Sequence, residues 1–240
     1  MSFSELRVAV AAANVRIDEA GLVLLAFGNA SGVDPDRRVF AIKPSGVPCA
    51  QITPDDVVIV SIDDGRVVEG DLRPSSDTPT HLELYRRLPG IGGIVHTHSA
   101  AATAWAQARR PIPCFGTTHA DTFDGPVPVT RDMTASEIGG EYETNTGVVI
   151  ASWFEEQGLD PRRSPGVLVA SHGPFAWGPS VDDAVATAIA LEAIAAMALS
   201  TIFIAPDASP ISEALARRHH ERKHGARAYY GQPATVPRAG

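Results

Sequence analysis

The chain has 240 residues, 44% of them apolar and 20% charged, a usage typical of soluble domains that excludes disordered, collagen-like and low-complexity classes. Its 28 acidic and 20 basic side chains leave a formal charge of -8, which repels phosphate backbones and argues against nucleic acid as a general partner. At this length one large domain with a well-buried core is expected.

In chain order, residues 4–20 carry a helical apolar pattern (Leu6, Val10, Val15) and lack the basic-then-apolar layout of a signal peptide. Gly21 breaks this helix before the apolar stretch Leu22–Phe27. Strand-like runs follow at Val39–Lys43, Val57–Ile62 and Val67–Glu69, and Asp63-Asp64-Gly65 between the last two predicts an antiparallel hairpin. Pro79 suits the first turn of a helix running to about Leu88, with Ser76, Asp77 or Thr78 as its cap. Next are expected a strand at Gly93–His98, a helix at Ala100–Ala108, a turn-rich stretch from Pro111 to Arg131 and a helix near Ser136–Glu143. Val148–Phe154 and Val167–Ser171 are predicted as strands.

From Ala184 to Ala205 the only strongly polar residue is Glu192. The segment is long enough to cross a bilayer, but it is alanine-rich and has no aromatic belt or basic flank. It is read as a helix buried on most sides, capped by Ser180 with Asp182 and Asp183 in its first turn. A basic helix is expected from Ile211, because residues 210–240 hold six Lys/Arg against two Glu and carry +4, leaving -12 on the remainder. Cys49 and Cys114 lack CxxC spacing, which points to a reducing compartment. With no secretory signal recognised, a cytoplasmic protein is expected. The interleaved elements predict a single α/β domain over 1–240 whose sheet is mixed or antiparallel and covered by helices.

His96-Thr97-His98 is the strongest local chemical signal. Side chains two apart on a strand share a face, roughly 7 Å apart at Cα, so the two rings can converge on one ion at about 2.0–2.1 Å. His172 ends the run Val167–Ser171 in Ser-His-Gly-Pro, where Gly173 and Pro174 are expected to turn the chain away and leave the ring facing a cleft. Asp77 is either a helix cap or a carboxylate ligand. Three imidazoles and one carboxylate, with no thiolate, suit a catalytic Zn²⁺ that keeps room for substrate, with Mn²⁺ or Co²⁺ as substitutes. A second group, Gly28-Asn29, Lys43-Pro44-Ser45-Gly46 and Ser75-Ser76, combines hydroxyls, a lysine and the amides of a helix start into an anion cradle. Gly90-Ile91-Gly92-Gly93 precedes a strand, so it fails as a dinucleotide fingerprint, and no Walker motif is present.

Seven ordered motifs carry a resemblance: Gly28-Asn29, Lys-Pro-Ser-Gly-Val from Lys43, Pro-Ser-Ser-Asp-Thr-Pro-Thr-His (74–81), His-Thr-His-Ser (96–99), Thr-Thr-His-Ala-Asp (117–121), Ser-His-Gly-Pro-Phe-Ala-Trp-Gly (171–178) and Lys-His-Gly-Ala-Arg-Ala-Tyr-Tyr-Gly-Gln (223–232). From about residue 6 to 232 the chain resembles the 4-epimerase branch of the class II sugar-phosphate aldolase/epimerase superfamily. The resemblance implies a central, mainly antiparallel sheet flanked by helices, and a C4 homotetramer with active sites at subunit interfaces. It also implies inversion at C4 of L-ribulose 5-phosphate to give D-xylulose 5-phosphate. It makes Asp77, His96, His98 and His172 a zinc site, and Gly28, Asn29, Ser45, Gly46, Ser75 and Ser76, with Lys43 beside them, a substrate-phosphate pocket. Asp121 and Tyr230 resemble the catalytic acid/base pair, Tyr230 coming from the neighbouring subunit, and His219 and Arg222 resemble auxiliary residues of the same tail. Ala30 and Ala41 are small apolar departures inside motifs, and Thr122 and Asp124 stand where aromatic residues are frequent.

Elementary chemistry agrees. A C–H bond β to a ketone is not acidic, so inversion there requires oxidation or carbon–carbon cleavage. A chain with metal-type and phosphate-type groups but no nicotinamide signature favours cleavage. Two other readings compete: an aldolase of the same superfamily that releases its aldehyde, and a non-catalytic scaffold like the adducin head. Such aldolases typically carry a glutamate after the two serines, where this chain has Asp77.

Overall fold

The structure, a computed structural model, describes residues 2–226 and 228–230. Arg227, Gly231-Gln232 and Arg238 of the basic tail lie outside the described residues. Seven strands form one sheet in the order β4-β3-β2-β1-β5-β7-β6. They are β1 (Gly28–Val33), β2 (Val39–Ile42), β3 (Val58–Ser61), β4 (Val67–Glu69), β5 (Gly93–Thr97), β6 (Gly166–Leu168) and β7 (Pro174–Gly178). Every neighbouring pair is antiparallel, and the Asp63-Asp64-Gly65 turn joins β3 to β4 as its composition predicts.

Alternation along the strands feeds two cores. Val39, Ala41, Ile59 and Val95 point to one face, where they meet α1 (Phe3–Glu19), α3 (Ala100–Ala108) and α7 (Val181–Ile204). Phe40, Ile42, Val58, Val60 and Ile94 point to the other, against α2 (Thr78–Arg87) and α6 (Tyr142–Glu156). The result is a helix–sheet–helix sandwich. Short helices α4 (Thr117–Ala120) and α5 (Ala135–Gly139) lie in and after the turn-rich stretch, and α8 (Glu213–His224) packs on α4. Local chemistry sets the ends: Ser2 and Glu5 form a capping box at α1, Ser180 caps α7 with Asp182 and Asp183 in its first turn, and Ser212 caps α8.

Several expectations are corrected. Val148–Phe154 is helical: its β-branched run lies inside α6, which turns Ile150, Ala151 and Phe154 towards the second core. β1 and β7 were not anticipated, because Gly-Asn-Ala-Ser-Gly-Val has little strand propensity and Pro174 opens β7. Gly173 and Pro174 do not turn the chain away but lead straight into β7, so His172 sits in the tight β6–β7 connection after Ser171, at φ +64°. Leu22–Phe27 forms a turn closed by a bridge between Leu24 and Phe27.

The apolar helix α7 is long and apolar enough to cross a membrane, yet it is not buried on most sides. One stripe, Val185, Ala188, Leu191, Ala195 and Ala198, packs inward, while Met197, Leu199, Phe203 and Ile204 face outward, Phe203 being 89% exposed. Its N-terminus lies very close to the sheet. A Cβ on Gly93 would fall 2.4 Å from Val181 Cα, and one on the cross-strand partner Gly178 would fall 2.5 Å from Asp183 Cβ. Gly93→Ala is therefore expected to destabilise the fold by about 3 kcal/mol or more, because backbone must move to admit the methyl group. Urea unfolding checks this, and a midpoint like that of the wild type would contradict it.

Candidate active site

The pairing of β1, β5 and β7 assembles one cavity on the α2 side of the sheet. His96 lies opposite Asn29 on β1 and opposite Phe175 on β7. His98 follows directly on β5, and His172 is brought alongside by the β6–β7 turn. One ligand nitrogen from each of His96, His98 and His172 lies within 4.8 Å of the others. The ring centroids are 4.8–5.0 Å apart, and the His96 ring stacks on Phe175 at 4.1 Å.

The donor set fits a divalent cation. His96 Nδ1 is 3.0 Å from the Pro174 carbonyl; a carbonyl only accepts, so Nδ1 carries the proton and Nε2 presents a lone pair. Burial, reinforced by the neighbouring His96 and His98, pushes His172 down to about 3, and burial with His96 nearby lowers His98. Both rings are thus neutral near pH 7, the form that binds metal. His172 Nδ1 is buried without a hydrogen-bond partner among the described residues.

Asp77 lines the same cavity but stands outside the mutual imidazole cluster. It occupies the N-cap position of α2, yet its side chain makes no capping bond. Instead, Asp77 Oδ2 accepts from Asn29 Nδ2 at 2.7 Å, and Asn29 also donates to Ser75 Oγ at 3.3 Å. Burial raises the Asp77 carboxyl, but the adjacent imidazoles of His96 and His81 and the Asn29 bond outweigh it, so it sits below the usual carboxylate range.

The same cavity, about 360 Å³, is lined by Gly28, Asn29, Lys43, Ser45, Gly46, Ser75 and Ser76. Gly28 has φ +126°, and its missing Cβ clears the His96 carbonyl, which a methyl group would approach to 3.2 Å. Lys43 is only 2% exposed, with its Nζ 3.3 Å from the Pro44 carbonyl. Burial lowers its pKa against the opposing pull of Cys49 and Asp77. A buried ammonium beside two serine hydroxyls and the start of α2 is an anion-binding arrangement.

Asp121, His219, Arg222 and Tyr230 form a separate group at α4 and α8, and none of them lines that cavity. Arg222 holds Asp121 in a fork (Nε–Oδ1 3.0 Å, Nη2–Oδ2 2.6 Å), and His219 Nδ1 donates to Asp121 Oδ1 at 3.0 Å. Burial raises the Asp121 carboxyl, but these bonds hold it below its ordinary value. The Tyr230 ring, 59% exposed, lies 4.8 Å from the Arg222 guanidinium carbon.

Sequence reasoning assigned no role to His81, Ser31 or Tyr85. His81 is fully buried one turn beyond Asp77 on α2, and Ser31 Oγ lies 2.7 Å from its Nδ1 and 2.8 Å from Tyr85 Oη. Burial pushes His81 down to about 3. The i, i+4 spacing of Asp77 and His81, facing Asn29 and Ser31 two apart on β1, was the available signal. Phe27, also unassigned, borders the cavity, its ring 6.2 Å from that of His98.

Comparison with known proteins identifies the family of the chain. Residues 8–199 match the family described as Class II Aldolase and Adducin N-terminal domain. Proteins named L-ribulose-5-phosphate 4-epimerase UlaF from Salmonella paratyphi C (strain RKS4594) and Salmonella typhi are each 50% identical over 220 residues, covering 92% of this chain and 95% of theirs. Among solved structures, an L-fuculose 1-phosphate aldolase superposes with a TM-score of 0.77 at 25% identity, covering 92% of this chain and 97% of that one. A putative aldolase/epimerase/decarboxylase, YgbL from Klebsiella pneumoniae, shares the fold with a TM-score of 0.72 at 23% identity, covering 92% and 100%. This chain belongs to the class II aldolase and adducin N-terminal domain family.

Proposed function

We propose that the chain is a divalent-metal-dependent epimerase that inverts C4 of L-ribulose 5-phosphate to give D-xylulose 5-phosphate, with Zn²⁺ as its metal. The observation that carries this reading is the meeting of the imidazole triad and the Lys43–Ser45–Ser75 cradle in one cavity. In it, a phosphate and a ketone of one small molecule can be held at once. The 50% identity to proteins named as 4-epimerases supports the same substrate.

His96, His98 and His172, with Asp77, would hold the cation, which supplies Lewis-acid stabilisation of the negative charge that develops on the ketone and adjacent hydroxyl oxygens. Ser45, Ser75, Ser76 and the α2 amides would bind the phosphate, with Lys43 compensating its charge. A base removes the C4 hydroxyl proton, the C3–C4 bond breaks, and its electron pair passes into the enediolate of dihydroxyacetone while C4 becomes the aldehyde of glycolaldehyde phosphate. That aldehyde rotates, the enediolate adds to its other face, and an acid protonates the new C4 alkoxide. Two proton-transfer groups are needed, one on each face, and Asp121 and Tyr230 take these roles.

Because Asp121 is tied to α8 by His219 and Arg222 within one chain, Asp121 and Tyr230 travel together, and a neighbouring subunit presents both to the cavity. This favours a homotetramer with interface sites, and the outward apolar face of α7 supplies surface for such contacts. A cytoplasmic location completes the proposal.

Incubating the metal-replete protein with L-ribulose 5-phosphate should yield D-xylulose 5-phosphate until equilibrium. Absence of product overturns the reading, and accumulation of free glycolaldehyde phosphate without inversion supports the aldolase alternative. A further expectation follows from the Arg222 fork. Its removal in Arg222→Leu takes away the largest of the interactions that oppose burial, leaving the weaker pull of His219 and Lys223, so the Asp121 carboxyl rises. With Asp121 acting as base, the acid limb of kcat then moves to higher pH and activity on the acid side falls, while the alkaline limb stays. An unmoved acid limb in the folded variant would assign that ionisation elsewhere.

A further inference from the structure

We propose that Glu192, on the middle of α7, is a positioning residue for the metal centre and raises its affinity for divalent cations. The inference rests on the metal reading above and goes beyond it. Beyond the acidic first turn of α7, Glu192 is the helix's lone strongly polar residue, and its carboxylate is engaged by backbone amides instead of serving only solubility. Glu192 Oε1 accepts from the Ala101 amide at 2.8 Å and Oε2 from the Ala102 amide at 2.9 Å. These are the second and third residues of α3, whose N-cap residue Ser99 makes no side-chain cap bond. A carboxylate about ninety residues away thus takes over the local cap.

Helix α3 has two connections to the imidazoles. Its N-cap residue Ser99 immediately follows His98. Near its other end, the Ala106 carbonyl accepts from the Ser171 amide at 2.9 Å, fixing the turn that carries His172. The same helix is held to α7 a second time, where Trp105 Nε1 donates to the Ala195 carbonyl at 3.1 Å. Any slip of α3 along α7 would move two of the three imidazoles relative to His96. Two charge-assisted bonds to successive amides oppose that slip.

Charge adds a second effect. The free amides at a helix start carry the positive end of its dipole. Here that end lies two residues beyond an imidazole expected to meet a divalent cation, which is an unfavourable placement. The Glu192 carboxylate neutralises it without touching the cavity, whose lining does not include this residue. Outer-shell partners that orient ligands in this way typically change metal affinity about 10- to 100-fold.

The test is a Co²⁺ titration of metal-free wild type, Glu192→Gln and Glu192→Asp, read by the visible d–d spectrum and by competition with a chelator. Thermal melts of the metal-free proteins run alongside. Glu192→Gln keeps the shape but offers one acceptor and no charge. It should bind Co²⁺ about 10-fold or more weakly, with shifted d–d bands, and Glu192→Asp, which keeps the charge but reaches less far, should fall between. A purely structural cap would lower the metal-free melting temperature and leave the affinity of the folded protein unchanged. Wild type that binds one Co²⁺ with Glu192→Gln equal to it within about twofold overturns the inference and leaves the metal reading standing. Wild type that binds no Co²⁺ overturns both. If Glu192→Gln does not fold, the same criterion applies to Glu192→Asp, where unchanged affinity and spectrum count against the proposal.

Discussion

His98→Asn is expected to lower C4 inversion by on the order of 10³-fold or more, because the amide oxygen or nitrogen is a far poorer ligand than a neutral imidazole and loses several kcal/mol of charge stabilisation. The fold should survive. His98 follows the end of β5 with its ring on the cavity, outside both core clusters, so the metal-free variant should lose about 1 kcal/mol or less. Product formation, elemental analysis and thermal melting check the three parts separately. Wild-type turnover in a variant shown to lack divalent metal would remove the cation from the mechanism. Loss of turnover with full metal occupancy would instead make His98 a group that touches substrate.

Mixed tetramers should behave asymmetrically. Asp121→Asn and Tyr230→Phe should each lose about 10²- to 10⁴-fold in epimerisation, the usual cost of a positioned acid or base. Co-assembling inactive His98→Asn with inactive Asp121→Asn subunits should restore about one quarter of the wild-type activity per site. In a randomly mixed ring, half of the cavities are intact and half of their neighbours carry an intact Asp121. Mixing Asp121→Asn with Tyr230→Phe should restore nothing, since the two residues sit together on one chain beside Arg222 and every interface then has one of them missing. Recovery in the second mixture, or none in the first despite demonstrated subunit exchange, would mean that Asp121 and Tyr230 do not reach the cavity as a unit. Product stereochemistry gives a finer reading. Each single variant should still condense dihydroxyacetone with glycolaldehyde phosphate, and the two should favour opposite C4 isomers.

Much of this was legible in the chain because its signals were local. Period-2 placement predicted that His96 and His98 share a face, and the Asp-Asp-Gly turn predicted the β3–β4 hairpin. What escaped depended on partners distant in sequence. β1 reads as a loop in isolation because its small residues gain stability only when covered on both faces, all but Val33 being fully buried. Val148–Phe154 has the composition of a strand and becomes helical because α2 offers a groove for one side of it. Asp77 reads as a cap from its position, whereas the Asn29 amide draws its carboxylate into the cavity. Glu192 reads as an isolated polar residue, because nothing near it in sequence shows that Ala101 and Ala102 wait for it across the packing interface.

The strand order also has a kinetic consequence. β2, β3 and β4 meet through neighbouring hairpin-like connections, whereas β1 joins β5 across some sixty residues and β5 joins β7 across about eighty. Loop-closure entropy opposes these distant pairings, so they are expected to form late and to set the folding rate. All three imidazoles depend on them: His96 and His98 are delivered by β5, and His172 by the turn into β7. A nascent or partly refolded chain therefore has no three-ring site to offer, and acquisition of a tightly held cation marks the completion of the long-range sheet, not the start of collapse.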